Sequence, residues 1–109
     1  MSFVKYEPKG NIAYLIIDRE KALNALNSQV LADLDAALDA IDLDTVRCVI
    51  VRGAGDKSFV AGADIAQMKE LSKEEGEAFG KQGNDVMRKL EALPVPTIAA
   101  VGGYALGGG

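Results

Sequence analysis

The sequence has no histidine and no tryptophan, and only one cysteine and three prolines in 109 residues. The missing histidine removes imidazole general-base chemistry and histidine-ligated metal from this stretch of chain. The lone cysteine, Cys48, can form no intrachain disulfide. Within the run Arg47-Cys48-Val49-Ile50-Val51 it reads as a small buried hydrophobe, and a reducing, cytosol-like compartment fits. No apolar run nears the ~20 residues that span a bilayer. The start, Met1-Ser2-Phe3-Val4-Lys5-Tyr6-Glu7, has neither the charged nor the apolar region of a signal peptide. Positive charge is scarce too, with 12 Lys and Arg against 16 Asp and Glu and a formal charge of -4, the opposite of a nucleic-acid-binding surface. What remains, 49% hydrophobic and 26% charged, is the composition of a soluble globular domain with room for one core but not two.

The patterning predicts an α/β fold. Asn11 to Asp18 reads as a strand, preceded by a Pro8-Lys9-Gly10 turn and a shorter strand around Phe3 to Tyr6. Arg19 to Asn27 has no clean period and reads as a loop. Asn27 or Ser28 is placed to cap a helix through about Asp42, because Val30, Leu31, Leu34, Ala37, Leu38 and Ile41 recur at helical spacing. Arg47 to Arg52 is nearly continuous apolar and β-branched, the pattern of a strand covered on both faces. After the break at Gly53-Ala54-Gly55-Asp56 comes a tight segment from Phe59 to Asp64, then a short helix from Asp64 to about Leu71. Ser72 with Glu75 forms a capping box for a longer helix to about Leu93, which Pro94-Val95-Pro96 stops. Thr97 to Val101 reads as a short buried strand. The alternation predicts largely parallel pairing in the later part, within a single unit spanning residues 1–109. A Gly-rich stretch after a strand normally leads into another element, so ending at Gly109 reads as truncation.

Three apparent motifs dissolve on inspection. In Gly53-Ala54-Gly55-Asp56-Lys57-Ser58 the Lys follows Asp56 where a phosphate loop needs glycine. Counted from Gly102, Tyr104 stands where a dinucleotide fingerprint needs its second glycine. Asp33, Asp35, Asp39, Asp42 and Asp44 lie mostly on the polar face of the first helix and read as solvated.

Two segments carry more. In Ser58-Phe59-Val60-Ala61-Gly62-Ala63-Asp64-Ile65 a strand runs through small residues into a helix start. One reading is a glycine turn with Asp64 as a helix-start carboxylate. The other makes the Ala63 N–H a donor to developing negative charge, since the first N–H groups of a helix lack internal partners. In Gly102 to Gly109 a strand again runs into glycines where a helix could start. Three consecutive glycines weaken a fold, which makes sense if something must lie against bare backbone.

Lys21-Ala22-Leu23-Asn24-Ala25-Leu26-Asn27, then Ser58 to Ile65, then Pro96-Thr97-Ile98-Ala99-Ala100-Val101-Gly102-Gly103-Tyr104-Ala105-Leu106-Gly107-Gly108-Gly109, resemble in order and spacing the signature segments of the enoyl-CoA hydratase/isomerase (crotonase) family. The resemblance covers essentially the whole chain. It implies a crotonase-like spiral of ββα units, of which this chain holds the N-terminal part, and assembly into homotrimers or hexamers. It assigns the Ala63 and Gly108 backbone N–H groups to an oxyanion hole for the thioester oxygen. Ala22, Ala61, Gly62, Asp64 and Ile65 would line the groove for the coenzyme A moiety. Gly102 departs from the family's usual Asn. The family's two acid/base glutamates would follow Gly109. The implied activity is reversible addition of water to trans-2-enoyl-CoA, with enoyl-CoA isomerisation or a non-catalytic acyl-CoA-binding role as alternatives. No metal or redox cofactor is implied, coenzyme A being part of the substrate. The expected partner is an acyl-CoA thioester, with no nucleic acid and no membrane, in the cytoplasm.

Overall fold

The computed structural model describes residues 2–109. Strand β1 (Val4–Lys9) turns at Gly10-Asn11 into β2 (Ile12–Ile17), its antiparallel partner from Val4↔Ile17 to Lys9↔Ile12. The first strand thus extends through Pro8 and Lys9, which were expected in the turn. Helix α1 (Ser28–Asp39) then carries the chain back, so that β3 (Cys48–Gly53) pairs with β2 in parallel. A parallel pair requires such a crossover. Strand β4 (Ser58–Val60) follows, then the short helix α2 (Ile65–Lys69) and the long helix α3 (Lys73–Glu91). Two last strands, β5 (Thr97–Ala100) and β6 (Tyr104–Ala105), complete the order. One sheet runs β1-β2-β3-β5 and a second pairs β4 with β6. Each ββα unit after the first therefore gives one strand to each sheet. Among the described residues no helix is long and apolar enough to cross a membrane.

The core forms where α1 lies on the main sheet. Val30, Leu31, Leu34, Ala37 and Leu38, the expected stripe, are all buried against residues that include Ala13, Leu15, Val49 and Val51. Asn27 caps α1, its side-chain oxygen accepting from the Val30 N–H at 2.8 Å. The helix stops at Asp39, short of Asp42. Asp42 instead accepts from the Asp44 N–H at 3.0 Å and the Thr45 hydroxyl at 2.6 Å, an alternative to helical backbone pairing. The Ser72–Glu75 capping box forms in both directions, at 3.0 and 3.2 Å.

One strand expectation needs correction. Val49 and Val51 are buried, but Cys48, Ile50 and Arg52 are half-buried, so β3 is covered fully on one face only and Cys48 is no core residue. Thr97 to Ala100, the last strand in the order of the main sheet among the described residues, is exposed throughout, with Ile98 at 51%. Strand β6 was not anticipated.

The segment from Arg19 to Asn27 is irregular, as expected, but it is tightly held. It begins with a 3-10 turn, Glu20–Ala22, and then Leu23 and Asn24 both adopt left-handed backbone, with φ of 54° and 59°. Asn tolerates that region and Leu resists it. Asn24, 1% exposed, accepts from the Arg19 N–H at 2.8 Å and donates to the carbonyls of Ser58 and Ala54 at 3.0 and 3.2 Å. Arg19 donates to the Ala25 carbonyl at 3.0 Å and pairs with Asp64 at 2.8 Å, both side chains being largely buried.

Asp64 also caps α2, accepting from the Gln67 N–H at 3.1 Å. The Arg19 hydrogen bond, and then the Gln67 N–H, hold its carboxyl below the usual carboxylate range. Because the folded pKa is depressed, this stabilisation is complete above the unfolded pKa and is lost as pH falls through the folded one. Asp64→Asn keeps a cap acceptor but loses the charged hydrogen bond, so it is expected to lower unfolding free energy by about 2 kcal/mol at neutral pH. In urea melts the gap from wild type should close as the pH is taken below the carboxylate range. A gap that ignores pH would show that the ion pair contributes nothing.

Candidate active site

Strands β4 and β6 are parallel neighbours, so the chain leaves both at the same end of the small sheet. Beyond β4, Ala63 forms an isolated parallel bridge with Leu26. The Leu26 N–H donates to the Gly62 carbonyl at 2.8 Å, and the Leu26 carbonyl accepts from the Asp64 N–H at 2.7 Å. Both bonds go to the residues flanking Ala63, so its own N–H points away from Leu26. Beyond β6, the Leu106 carbonyl accepts from the Gly109 N–H at 2.8 Å, which closes a turn with Gly107 at φ 50°. In such a turn the N–H of the third residue, Gly108, stays outside the closing bond. Among the described residues neither the Ala63 nor the Gly108 N–H meets an acceptor. By contrast, every described buried side-chain nitrogen or oxygen has a partner.

Ala63 and Gly108 line one cavity of about 170 Å³, walled by Leu26, Leu31, Phe79 and Met87. A second cavity of about 200 Å³ shares Leu26, Met87 and Gly108 and continues beneath Val60 to β5. No titratable side chain lines either one. The arrangement therefore offers two backbone donors in an apolar setting. That suits an oxygen acquiring negative charge, and supplies no acid or base of its own. Among the described residues no cluster of His, Cys, Asp and Glu could hold a metal ion.

None of the remaining candidates lines these cavities, and all but Ile65 lie around the Leu23–Leu26 segment. Ala22 closes the 3-10 turn and is half-buried. The Ala61 N–H donates to the Leu23 carbonyl at 3.1 Å. Gly62 is buried at φ 87°, and a Cβ there would stand 3.1 Å from the Leu106 carbonyl. Both carboxylate oxygens of Asp64 are engaged, by Arg19 and by the Gln67 N–H. Ile65 lies apart, 72% exposed on α2.

The terminal glycines need a different account from bare backbone awaiting a ligand. A Cβ at Gly103 or Gly109 would run into the Lys57 or Val60 carbonyl, so the close approach at these two positions is by the protein's own β4 and the residue before it. At Gly108 a Cβ would make only an ordinary 3.5 Å contact with Leu26. Residues 106–109 form a turn. Phe79 and Met87, which wall the donor cavity from α3, escaped the reading of the sequence. Their signal was an apolar residue at every second helical turn, indistinguishable there from a core-facing stripe.

The enoyl-CoA hydratase/isomerase family model matches residues 7–109. The short-chain-enoyl-CoA hydratase of Clostridium acetobutylicum is 55% identical over 104 residues, 94% of this chain and 40% of that protein. The crotonyl-CoA hydratase of Syntrophomonas wolfei is 50% identical over the same shares. The chain thus spans about 40% of the length of these curated relatives. The crystal structure of an enoyl-CoA hydratase from Bacillus anthracis superposes with a TM-score of 0.94 at 32% identity, over 99% of this chain and 43% of that one. With matching sequence segments, the same α/β architecture and a family model spanning nearly its whole length, the chain belongs to the enoyl-CoA hydratase/isomerase family.

Proposed function

We propose that the whole protein catalyses reversible addition of water to a trans-2-enoyl-CoA, giving a 3-hydroxyacyl-CoA. The observation that carries this reading is that Ala63 and Gly108, whose N–H groups meet no acceptor, line one apolar cavity. Water forms its bond to C3, and the electrons of the C2–C3 double bond shift onto the thioester oxygen. The two N–H groups hold that oxygen as it becomes enolate-like, and a proton is then delivered to C2. One such donor contributes about 3 kcal/mol to lowering the barrier. Water activation and proton delivery need carboxylates. The family resemblance assigns them to two glutamates following Gly109. Ala22, Ala61, Gly62, Asp64 and Ile65 are proposed to flank the coenzyme A moiety, with Asp64 acting through the Arg19 clasp that shapes the loop. A homotrimer or hexamer in the cytoplasm completes the reading.

Ala63→Pro in the whole protein removes one donor while keeping a small side chain. Crotonyl-CoA turnover is expected to fall about a hundredfold or more, with Ala63→Ser as the control that retains the N–H. A folded Ala63→Pro protein, judged by its melting temperature, that hydrates crotonyl-CoA at the wild-type rate would remove Ala63 from the mechanism. Conversion of 3-hexenoyl-CoA to its conjugated isomer, without hydration, would favour isomerisation instead.

A polypeptide of residues 1–109 alone has the donors but no titratable side chain in the cleft. It is expected to leave the absorbance of the conjugated enoyl thioester at the background rate. Measurable hydration by this polypeptide would overturn the assignment of proton transfer to groups outside it.

A further inference from the structure

Helix α3 contains three glycines, Gly76, Gly80 and Gly83, each of which weakens a helix relative to alanine. A glycine is explained in a helix interior when a neighbour needs the space or when the backbone needs positive φ. Neither holds at Gly80 or Gly83. A Cβ at Gly80 would meet nothing within 4 Å, one at Gly83 would make only an ordinary 3.8 Å contact with Leu31, and neither residue has positive φ. Both glycines, however, line the cavity that holds the Ala63 and Gly108 donors, on the same helix wall as Phe79 and Met87. Gly76 has equally open surroundings but does not line it. The space left bare at Gly80 and Gly83 is therefore continuous with the place where a thioester oxygen would sit.

We propose that Gly80 and Gly83 determine acyl-chain length: they keep the α3 wall bare so that the acyl group of the thioester can run along it. The proposal rests on the acyl-CoA reading above. The cavity's volume of about 170 Å³ is close to that of an engineered apolar cavity, ~150 Å³, which takes up benzene. An acyl group of about four to six carbons is the matching class of substrate, and any side chain at position 83 shortens the room available. A single methylene in an apolar pocket already discriminates substrates by tenfold or more.

The test compares kcat/KM for crotonyl-CoA and trans-2-hexenoyl-CoA in the whole protein and in Gly76→Ala, Gly83→Ala and Gly83→Leu. The hexenoyl-to-crotonyl ratio is expected to fall at least tenfold in Gly83→Leu and by a smaller factor in Gly83→Ala, and to stay at the wild-type value in Gly76→Ala. The alanine variants should melt at or above the wild-type temperature, because alanine favours the helix and nothing obstructs it. An unchanged ratio in folded Gly83→Leu would overturn the proposal. So would a shift in Gly83→Ala no larger than that in Gly76→Ala, which decides the matter should the leucine variant misfold. If the wild-type protein hydrates neither thioester, the hydratase reading fails separately. Calorimetric affinities for butyryl-CoA and hexanoyl-CoA then carry the length comparison, and equal loss of both in Gly83→Leu would refute a role in chain length.

Discussion

The bridge between Leu26 and Ala63 governs the site. Leu26 bonds through its own N–H and carbonyl to Gly62 and Asp64, and so leaves the N–H of Ala63, a residue of the cavity wall, without an acceptor. A free donor made this way is a property of backbone direction. No side chain has to ionise, rotate or be held in a rare rotamer. That is consistent with a cavity lined by Leu, Phe, Met, Ala and Gly, in which Asn84 is the one polar side chain. The same bridge places the buried side chain of Leu26 in both cavities, so one residue supplies the direction of the donor and part of the apolar surface around it.

Holding Leu26 in place requires an otherwise unfavourable loop. Two consecutive left-handed residues, one of them leucine, oppose folding by about 1–3 kcal/mol each. Asn24 offsets this with three hydrogen bonds to backbone groups, the Ser58 hydroxyl donates to the Leu23 carbonyl at 2.6 Å, and Arg19 reaches Asp64 across the loop. All of these contacts except the internal Arg19 N–H bond tie the loop to the segment from Ala54 to Asp64. The geometry of the donor is therefore maintained by polar contacts around the loop, while α1 and the main sheet supply the burial that stabilises the whole.

Much of this architecture was legible in the residues. The stripe on α1, the Asn27 cap, the Ser72–Glu75 box and the proline stop are local signals, and the structure contains them all within a few residues of the expected bounds. Ala63 stood out because small residues lead there from a strand into a helix. What stayed hidden was non-local. Strand β6 is two residues long and glycine-flanked, and it exists only because the carbonyls of Lys57 and Val60 accept from Tyr104 and Leu106. Asn24 read as one polar residue in a loop, whereas its partners lie 30 and 34 positions away.

The pairing of β4 with β6 also determines where the chain can tolerate changes of length. Adding or removing one residue between Val60 and Ala63 would change which N–H is left outside the bonds that Leu26 makes to Gly62 and Asp64. The same change between Leu106 and Gly108 would move the other donor out of the unpaired position of its turn. The turn at Gly10-Asn11 and the stretch from Asp42 to Asp44 are exposed and distant from both donors, and can absorb insertions with little effect on the site. Across homologous chains, gaps should therefore collect at those surface turns, while the two strand exits keep a constant length even where their side chains differ.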